Sequence, residues 1–586
     1  MNTRAARRRA RERQEPSVQN LIAQAEAWLA EDPDPRTREE LAALLAAEDT
    51  DALRDRFSGT LRFGTAGLRG ELGAGPMRMN RAVVVRAAAG LAAYLHDQGL
   101  GGSGDADDGD DGPGLVVVGY DARHNSEQFA RDTAAVVTGA GLRAALLPGP
   151  LPTPVLAFAV RHLGAAAGVM VTASHNPPRD NGYKVYLGAD PSGSATGGGS
   201  QIVPPADAEI AARIDAVGAL DDVPRPETGP QVLGREIVDA YLERAVSVLD
   251  ESGARELRVV HTALHGVGSD TVREAFVRAG FPAPVSVAEQ AEPNPDFPTV
   301  DFPNPEEPGA MDLAFGAARA VRPDLVIAND PDADRCAVAV PDDSAHNGDG
   351  WRMLRGDEVG ALLATHLVHK RAKGTFATTI VSSSLLGRIA EAAHLPYEET
   401  LTGFKWLSRT PDLRFAYEEA LGYCVDPDGV RDKDGITAAL LIAELAAELK
   451  TQDRTLDDLL DDLAVAHGLH ATDQLSVRVE DLSLIERAME RLRADPPQQL
   501  AGLAVTATDD LREGAGALPP TDGLRYRLGN GSARVVVRPS GTEPKLKCYL
   551  EAVVPVPDAA ALPRARAEAR RVLDGLAADM SAAAGI

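Results

Sequence analysis

From residue 115 onward, the sequence alternates short β-branched, apolar runs with longer Ala-rich stretches of helical periodicity. The strand-like runs are LVVVGYD, GVMVTAS, ELRVVHTAL, DLVIAND and FATTIVSSS. Strands that alternate with helical segments form βαβ units, in which the helix crosses over the sheet and the two strands run parallel. The pattern therefore predicts an α/β fold.

The length of the chain predicts more than one domain. Its 586 residues exceed what one hydrophobic core usually supports. At about 150 residues per domain, roughly four domains are expected. Residues 17–55 have helical periodicity in an acidic, Ala- and Leu-rich segment, which predicts helices ahead of the main body.

The charge and apolar patterns exclude two kinds of partner. The net charge is -27, which opposes general affinity for nucleic acid, because binding to a phosphate backbone requires clustered Lys and Arg. No apolar run is long enough to span a bilayer. We therefore expect a soluble protein without a nucleic-acid or membrane partner. Anionic substrates would require positive charge concentrated at the binding site.

Cysteine usage indicates the cellular compartment. Cys336, Cys424 and Cys548 lie far apart and form no CxxC pair, so neither a disulfide framework nor a zinc site is indicated. The basic N-terminal run is not followed by the apolar segment and small-residue cleavage site of a secretory signal. We expect a cytoplasmic protein.

Two segments have the composition of flexible surface chain. Residues 101–114 are rich in Gly and Asp and lack a strand at their acidic centre, which predicts a mobile insertion rather than a metal loop. Residues 191–200, PSGSATGGGS, predict a second flexible stretch.

The first motif with chemical potential is VTASHNPPRDNGYKVY at residues 171–186. An apolar strand runs into a polar turn that contains Ser174 and His175, and Lys184 follows. Such a turn presents Ser174 at the carboxyl edge of a sheet, where α/β proteins bind their ligands. For the tripeptide Ser-His-Asn alone, an ordinary turn is an equally good interpretation.

The second motif is DLVIANDPDADRCAVAV, in which Asp330, Asp332 and Asp334 alternate between two apolar strands. Oxygen ligands at this spacing can converge on one hard cation, and Mg²⁺ usually takes only a few protein ligands. A calcium EF-hand does not fit, because Arg335 and Pro341 occupy the positions of its Gly and Glu. A solvated acidic turn remains the alternative, although three close carboxylates repel one another without a cation or an arginine.

The third motif is ARVVVRPSGTEPKLKCYLE at residues 533–551. It places Arg538, Ser540, Gly541 and Thr542 around a bend between two strands. Backbone N–H groups, two hydroxyls and a guanidinium form a cradle suited to a phosphate dianion. A plain β-hairpin turn is the alternative.

Two further features are weaker. The Gly-rich stretch LRFGTAGLRGELGAGPMRMN contains Arg69, a candidate phosphate contact. The stretch AYEEALGYCVDPDG offers Glu418 and Glu419 as carboxylates suited to sugar hydroxyls. A turn and a solvated acidic helix end are the corresponding structural interpretations.

At these residues the chain resembles the α-D-phosphohexomutase family, from about residue 60 to the C-terminus. The motifs TASHNP, DPDADR and RPSGTEPK occur in family order. FGTAGLRG, HTALHGVG, FPTVDFPNPEEP, LTGFKW and EEALGY are similar to the long branch of phosphoglucomutases and phosphopentomutases. The resemblance implies four domains around a central cleft, of which three are related mixed-sheet α/β/α domains and the last is α+β.

The resemblance also implies what each segment contains. We expect a tail and helical extension, a domain I with the phosphoserine loop, a domain II with the metal loop, a domain III with the sugar-recognition loop and a domain IV with the phosphate-binding loop. With boundaries near 210, 345 and 475, these segments are residues 1–55, 56–210, 211–345, 346–475 and 476–586.

The family motifs imply roles for the catalytic residues. Ser174 matches the phosphoserine, and Asp330, Asp332 and Asp334 match the ligands of one Mg²⁺, joined by a phosphate oxygen on Ser174. Arg335 matches a substrate-binding position near the phosphoserine.

The remaining matches concern proton transfer and sugar binding. Lys184 and Arg69 match the pair that assists proton transfer, with His175 close by, and Glu419 and Lys405 match sugar-recognition positions. The phosphate clamp is matched by Arg538, Ser540, Gly541 and Thr542.

The chain departs from the family pattern in the sugar-recognition loop. Many members read Gly-Glu-x-Ser-Gly, whereas this chain has Glu418, Glu419, Ala420, Leu421 and Gly422. Leu421 replaces a hydroxyl that would contact the sugar, which leaves the preferred sugar open.

The resemblance implies a phosphosugar mutase that interconverts sugar 1-phosphate and 6-phosphate through a phosphoserine. Glucose is the first expectation, and phosphomannomutase or phosphopentomutase activity is the alternative. A sugar 1,6-bisphosphate would act as intermediate and activator. The expected partners are small phosphosugars, and the expected assembly is a monomer or dimer.

Two rival interpretations remain, one a different enzyme and the other a protein without catalytic activity. A phosphatase with an aspartyl nucleophile also suits Asp330-x-Asp332, but it leaves Ser174, Lys184 and the Arg538 turn without roles. A non-catalytic sugar-phosphate sensor would bind its ligand through the clamp alone. Release of inorganic phosphate as the main product would favour the phosphatase, and phosphate on Ser174 would exclude the sensor.

Overall fold

A computed structural model of the chain describes residues 18–63, 67–100, 114–189, 197–226, 229–342, 350–479, 481, 483–540 and 545–585. The predicted mobile insertion lies outside these residues except for Gly114. Most of the second flexible stretch, residues 191–196, also lies outside them.

The helices predicted ahead of the main body are present: α1 (Val18–Glu31), α2 (Pro35–Ala46) and α3 (Thr50–Phe57). Asp34 and Asp49 cap α2 and α3 by accepting hydrogen bonds from backbone N–H groups. Leu21, Leu41 and Leu53 are fully buried between the helices.

The elements of the first domain are β1 (Leu68–Glu71), α4 (Arg81–Asp97), β2 (Leu115–Tyr120), α5 (Ser126–Gly139), β3 (Arg143–Leu146), α6 (Thr153–His162), β4 (Ala167–Val171), β5 (Asp180–Leu187), β6 (Ser200–Gln201), α7 (Ala206–Asp215) and β7 (Gln231–Val232). Within the described residues the strand order is β1-β5-β4-β2-β3-β7, with β6 paired to β5. β2 runs parallel to β3 and β4, whereas β5 runs antiparallel to β4. The sheet is therefore mixed. β7 joins it from beyond residue 210, the predicted end of the first domain.

The second domain contains α8 (Glu236–Val246), β8 (Val259–Thr262), α9 (Ser269–Arg278), β9 (Val285–Ser286), α10 (Ala288–Ala291), α11 (Asp312–Val321), β10 (Leu325–Ala328), β11 (Ala337–Pro341) and β12 (Trp351–Met353). The described strands follow the order β12-β11-β10-β8-β9. β8 and β10 are parallel, and β11 returns antiparallel to β10. The aspartate motif lies in the short connection between β10 and β11.

The third domain contains α12 (Gly356–His369), β13 (Thr375–Thr379), α13 (Leu385–Ala392), β14 (Tyr397–Thr400), α14 (Phe404–Leu407), β15 (Leu413–Glu418), β16 (Gly422–Cys424), α15 (Gly435–Lys450) and α16 (Leu456–His467). Its described strands follow the order β14-β13-β15-β16. One apolar cluster runs through α6, α8, α12 and α15, so the first three domains share a continuous core.

The fourth domain contains β17 (Leu469–Arg478), α17 (Ser483–Ala494), β18 (Gln499–Leu500), β19 (Leu503–Asp510), β20 (Leu524–Leu528), β21 (Ala533–Pro539), β22 (Lys545–Val554) and α18 (Leu562–Ala584). Its sheet is antiparallel, in the order β17-β22-β21-β20-β19-β18 among the described strands. Tyr526, Leu550 and Leu573 belong to its own core. A smaller apolar cluster, which includes Ile380 and Tyr549, joins it to the third domain.

The architecture confirms the predicted class of three mixed-sheet α/β domains followed by an α+β domain. Cys336, Cys424 and Cys548 are free and buried. Across the part of the chain that the structure describes, every helix is too short or too polar to cross a membrane.

Candidate active site

Ser174 lies in the turn between β4 and β5, at the carboxyl edge of the first sheet. It is 2% exposed, and its φ of 51° lies in the left-handed region that serine rarely adopts. Its Oγ donates a hydrogen bond to Asp330 Oδ2 at 2.6 Å, across the boundary between the first two domains. The sequence motifs of serine and aspartates therefore meet in space.

Arg123, which follows β2, fixes the serine turn through hydrogen bonds to its backbone. Its buried guanidinium donates to the carbonyl oxygens of Ser174 (2.5 Å), Asn176 (2.6 Å), Pro177 (2.8 Å) and Asp180 (3.1 Å). Four carbonyls fixed by one rigid, planar group leave the turn little freedom. This bonding stabilises the unusual backbone of Ser174.

The aspartate loop brings three carboxylates to one point. Asp330, Asp332 and Asp334 are fully buried, and their carboxylate oxygens lie within 4.8 Å of one another. Burial and the two neighbouring carboxylates raise the pKa of Asp330 well above its ordinary value. Their complete burial excludes the solvated acidic turn. A buried cluster of three carboxylates is unfavourable without nearby cations.

Two buried lysines supply part of the positive charge. Lys184 Nζ on β5 donates to Asp332 Oδ2 at 2.8 Å and Asp334 Oδ2 at 2.9 Å. Lys433 Nζ lies 3.3 Å from Asp334 Oδ2. Burial opposes the ammonium form, but the two aspartates raise the pKa of Lys184 above its usual value. The loop is thus bound from both the first and third domains.

The oxygens that remain free suit a hard cation. Asp332 Oδ1 and Asp334 Oδ1 are buried and have no hydrogen-bond partner among the described residues. Buried carboxylate oxygens without partners are costly unless a cation binds them. Together with Asp330 they form an all-oxygen donor set, the type that Mg²⁺ prefers. Asp330, Asp332 and Asp334 therefore fit the predicted metal.

His175 and Arg335 face each other beside Ser174. Arg335 Nη1 contacts His175 Nδ1, and the same Nδ1 lies 3.2 Å from Ser174 Oγ. Burial and the Arg335 guanidinium hold the pKa of His175 well below its usual value. The imidazole is therefore neutral here.

Arg69 on β1 contacts the same turn from another side. Its Nη1 donates to Asn176 Oδ1 at 2.9 Å, while its buried Nε has no hydrogen-bond partner in the described part of the chain. Burial lowers the pKa of Arg69 to about 10. An unsatisfied cationic N–H on an arginine that contacts the serine turn suits an anionic ligand.

Glu419 lies at the end of β15, in the third domain. Its Oε2 accepts hydrogen bonds from Ser382 Oγ (3.1 Å) and Thr379 Oγ1 (3.3 Å). Gly356 packs so closely that a Cβ there would lie 2.0 Å from the Glu419 carbonyl oxygen. Burial, followed by the neighbouring carboxylate of Glu418, raises the pKa of Glu419 to about 7.

Lys405 lies on α14, where the third domain contacts the first. Its ammonium lies 5.9 Å from the ring centre of Trp406. The adjacent Phe404 ring lies 5.4 Å from Lys433 Nζ. Burial lowers the pKa of Lys405, and Asp207 opposes that effect. α14 thus carries both Lys405, a predicted sugar contact, and the ring that lies against Lys433, the lysine that binds the aspartate loop.

The predicted phosphate clamp lies where β21 turns into β22. Arg538 pairs in register with Lys547 on the adjacent strand, and Ser540 N donates to Lys545 O at 2.9 Å. Gly541 and Thr542 lie outside the described residues. Lys547 is close enough to Glu419 to oppose the rise in its pKa, so the end of the hairpin faces the third domain.

Sequence reasoning missed several residues of this site: Arg123, Lys433, Thr379 and Ser382. Arg123 follows the strand-like run LVVVGYD, so its position after a buried strand was a usable signal. Lys433 occurs in the charged run Arg-Asp-Lys-Asp, which carries no strand or turn pattern of its own.

The fold and site together define a class: α/β enzymes that transfer phosphoryl groups with the help of a divalent cation. Family models identify the chain further. The alpha/beta/alpha domains I, II and III of phosphoglucomutase/phosphomannomutase match residues 60–219, 238–344 and 355–466, and the C-terminal domain matches residues 475–569. The chain belongs to the phosphoglucomutase/phosphomannomutase family.

Relatives and solved structures agree with this assignment. A Haemophilus influenzae protein named "Probable phosphomannomutase" is 47% identical, over 81% of this chain and 93% of that protein. Human phosphopentomutase is 34% identical, with 90% of each chain covered. A Burkholderia thailandensis phosphoglucomutase/phosphomannomutase family protein has the same fold, with a TM-score of 0.63 at 20% identity, over 89% of this chain and 97% of that one.

Membership settles several predictions. The chain is an isomerase of the phosphoglucomutase type, which transfers a phosphoryl group within one sugar. The family depends on Mg²⁺, and the carboxylates that fit the ion are present. The predicted preference for glucose is not among the confirmed points, because the relatives act on several sugars according to their names.

Proposed function

We propose that this enzyme moves a phosphoryl group between two hydroxyls of one sugar through a phosphate carried on Ser174. The observation that carries the proposal is the 2.6 Å hydrogen bond between Ser174 Oγ and Asp330 in a buried cluster of three acids. A serine hydroxyl alone is a weak nucleophile, so the resting enzyme carries the phosphate already. When bound, Mg²⁺ offsets the charge on the transferring group.

In the forward half-reaction a free hydroxyl of the sugar phosphate attacks the phosphorus on Ser174. The bond between phosphorus and Ser174 Oγ breaks as the new P–O bond forms, which gives a bisphosphorylated sugar. The hydroxyl proton passes to a basic group of the site, and the leaving Ser174 Oγ takes up a proton from the site to become a hydroxyl again. The sugar then turns within the cleft and returns its other phosphate to Ser174.

Arg69 and Lys184 are the proposed proton-transfer pair. Lys184 holds its proton firmly between Asp332 and Asp334, because both carboxylates raise its pKa. Arg69 has a lowered pKa, of about 10, and an unpartnered Nε. We assign Arg69 the closer contact with the reacting hydroxyl and Lys184 the balance of charge around it.

Arg538, with Ser540, Gly541 and Thr542, is the proposed grip for the phosphate that does not react. Glu419 and Lys405 are the proposed sugar contacts, and His175 and Arg335 flank the phosphoserine. Catalysis by such a site is mainly positioning and charge stabilisation. Because the fourth domain has its own core, its movement would let the intermediate turn without leaving.

For the substrate we propose a pentose phosphate, exchanged between its 1- and 5-positions. Leu421 stands where many members have a serine, and its buried side chain packs into the core of the second domain. Compared with members that have the serine, the loop therefore has one hydrogen-bonding group fewer for the hydroxyls of a hexose. The 34–35% identity to relatives named phosphopentomutase and phosphoribomutase supports this choice.

A mannose phosphate is the second candidate, favoured by the 47% identity to the Haemophilus protein. Glucose, the first expectation from the motifs, has less support. The test compares kcat/KM for ribose 1-phosphate, mannose 1-phosphate and glucose 1-phosphate with purified enzyme, Mg²⁺ and the matching bisphosphate. We expect the highest value for ribose 1-phosphate. A higher value for either hexose would overturn the pentose assignment, and release of inorganic phosphate as the main product would overturn the mutase.

A further inference from the structure

The turn that follows β13 touches both the sugar-recognition loop and the fourth domain. Its residues 380–384 include three consecutive serines, of which Ser382 is 1% exposed. We propose that Ser382 is a positioning residue, which holds the Glu419 carboxylate in place for the sugar and links it to the seating of the fourth domain. The inference rests on the sugar-binding role proposed for Glu419.

Ser382 is bonded to Glu419 at two points. Its Oγ donates to Glu419 Oε2 at 3.1 Å and accepts from Glu419 N at 3.2 Å. Thr379 Oγ1 lies 2.9 Å from Ser382 Oγ and 3.3 Å from Glu419 Oε2. One hydroxyl thus fixes both the backbone and the carboxylate of Glu419, which leaves Oε1 outside these bonds to the serine and threonine.

The same turn is gripped by the fourth domain. Arg534 on β21 donates to the carbonyl oxygens of Ser382 and Ile380, the latter at 3.2 Å. Glu551 on β22 accepts from Ser383 Oγ at 2.9 Å and Ser384 N at 2.7 Å. Arg534 and Glu551 also pair with each other at 2.9 Å. The turn is therefore bonded both to Glu419 and to two adjacent strands of the fourth domain.

The grip on Ser382 and the proposed phosphate clamp lie on one strand. Arg534 and Arg538 are four residues apart on β21, so both point to the same side of the sheet. At about 3.4 Å per residue their Cα atoms are roughly 14 Å apart on a rigid element. Phosphate binding at Arg538 would therefore fix the position of the same strand at Arg534, which bonds the carbonyl oxygen of Ser382.

The ionisation of Glu419 provides a readout that a purely structural role would not change. The charged and titratable groups that face it are Glu418 of β15, Asp357 of α12, and Lys547 and Tyr549 of β22. The Ser382 hydroxyl donates to the carboxylate and thus favours its ionised form. Loss of that hydroxyl should move the ionisation of Glu419 to higher pH.

The test compares Ser382→Ala with Ser200→Ala, a control at a buried serine whose Oγ has no hydrogen-bond partner among the described residues. We expect Ser382→Ala to lower kcat/KM on the order of tenfold, as for loss of a hydrogen bond to a charged group. The rise of kcat/KM on the acid side of the pH profile should occur at higher pH than in the wild type. The control should match the wild type. Wild-type kcat/KM and pH profile in Ser382→Ala, with activity intact, would overturn the inference but not the mutase.

A double-variant cycle tests the link to the fourth domain. Arg534→Lys keeps the charge but loses the planar pair of donors. If Arg534 acts through Ser382, the losses in kcat/KM for Arg534→Lys and Ser382→Ala should be less than multiplicative in the double variant. Fully multiplicative losses would overturn the link. An inactive wild-type enzyme on every phosphosugar would instead overturn the proposed function.

Discussion

Glu419 is the residue whose protonation we expect to be visible at physiological pH. Burial and the carboxylate of Glu418 raise the pKa of Glu419 from its ordinary value of 4.5 to about 7. The proposed role of Glu419, to accept hydrogen bonds from sugar hydroxyls, is best served by the ionised form, in which both oxygens accept and the bonds are charge-assisted. We therefore predict that kcat/KM rises as pH increases through about 7 and levels off above it, as measured with a fixed Mg²⁺ concentration.

The stability of the protein should respond in the opposite direction. Because the folded-state pKa of Glu419 is raised, its contribution is fully present below pH 4.5 and is lost as pH rises through about 7. Glu419→Gln removes this ionisation. Its unfolding temperature should exceed that of the wild type at pH 8 and match it at pH 5, and an equal difference at both pH values would contradict the raised pKa.

At the scale of an element, the serine turn depends on Arg123. We predict that Arg123→Lys lowers kcat at least tenfold, since small misplacements of a reacting group are costly. KM should change little, because Arg123 bonds the carbonyls of the turn, including that of Ser174. Steady-state kinetics measure both parameters.

The matched control is Arg131→Lys, an exposed arginine on α5 that pairs with Glu127. It should retain the wild-type kcat. A rise in KM with unchanged kcat for Arg123→Lys would mean that the guanidinium binds substrate and does not hold the turn.

The hairpin of β21 and β22 carries the proposed phosphate clamp. Arg538→Ala should raise KM for the sugar phosphate by tenfold to about a hundredfold, because a charge-assisted hydrogen bond is lost. Folding should be little affected, since the side chain is only partly buried. Arg527→Ala on the neighbouring strand, an exposed arginine paired with Asp509, is the control. Equal KM values in both variants would exclude the clamp assignment.

The aspartate and serine motifs could be predicted from the sequence because each is a contiguous run that follows an apolar strand. Arg123 offered only its position after a buried strand as a signal, and Lys433 offered none, because the charged run around it has no strand or turn pattern. The packing of Ser382 against Glu419 depends on how the strand order places β13 beside β15, which periodicity does not reveal.

The alternation of strands and helices does not predict every strand direction in the mixed sheets. Alternating strands and helices predict parallel units, yet β5 and β11 run antiparallel to the strands before them. Only residues 172–179 separate β4 from β5, too few for a crossover helix, so the short connection was the signal. The arrangement of four domains around one cleft came from the family resemblance and not from the pattern.

For the whole molecule, we predict that removing Mg²⁺ stops turnover without unfolding the chain. Lys184 and Lys433 continue to offset the aspartates, while Asp332 Oδ1 and Asp334 Oδ1 lose their expected partner. Excess chelator should abolish activity, and added Mg²⁺ should restore it. Circular dichroism should remain that of the folded protein. Full activity in chelator would contradict the metal assignment.

Ser174 is proposed to carry the transferred phosphate, and residues of three domains contact its surroundings. The most direct measurement follows label from a sugar bisphosphate to the enzyme and then to an unlabelled sugar monophosphate, with Ser174→Ala as the control. We predict that the label is found on Ser174, that it passes to the sugar, and that Ser174→Ala folds normally but takes up none. Label on another residue, or its release as inorganic phosphate, would contradict the assignment of Ser174 as the phosphate carrier.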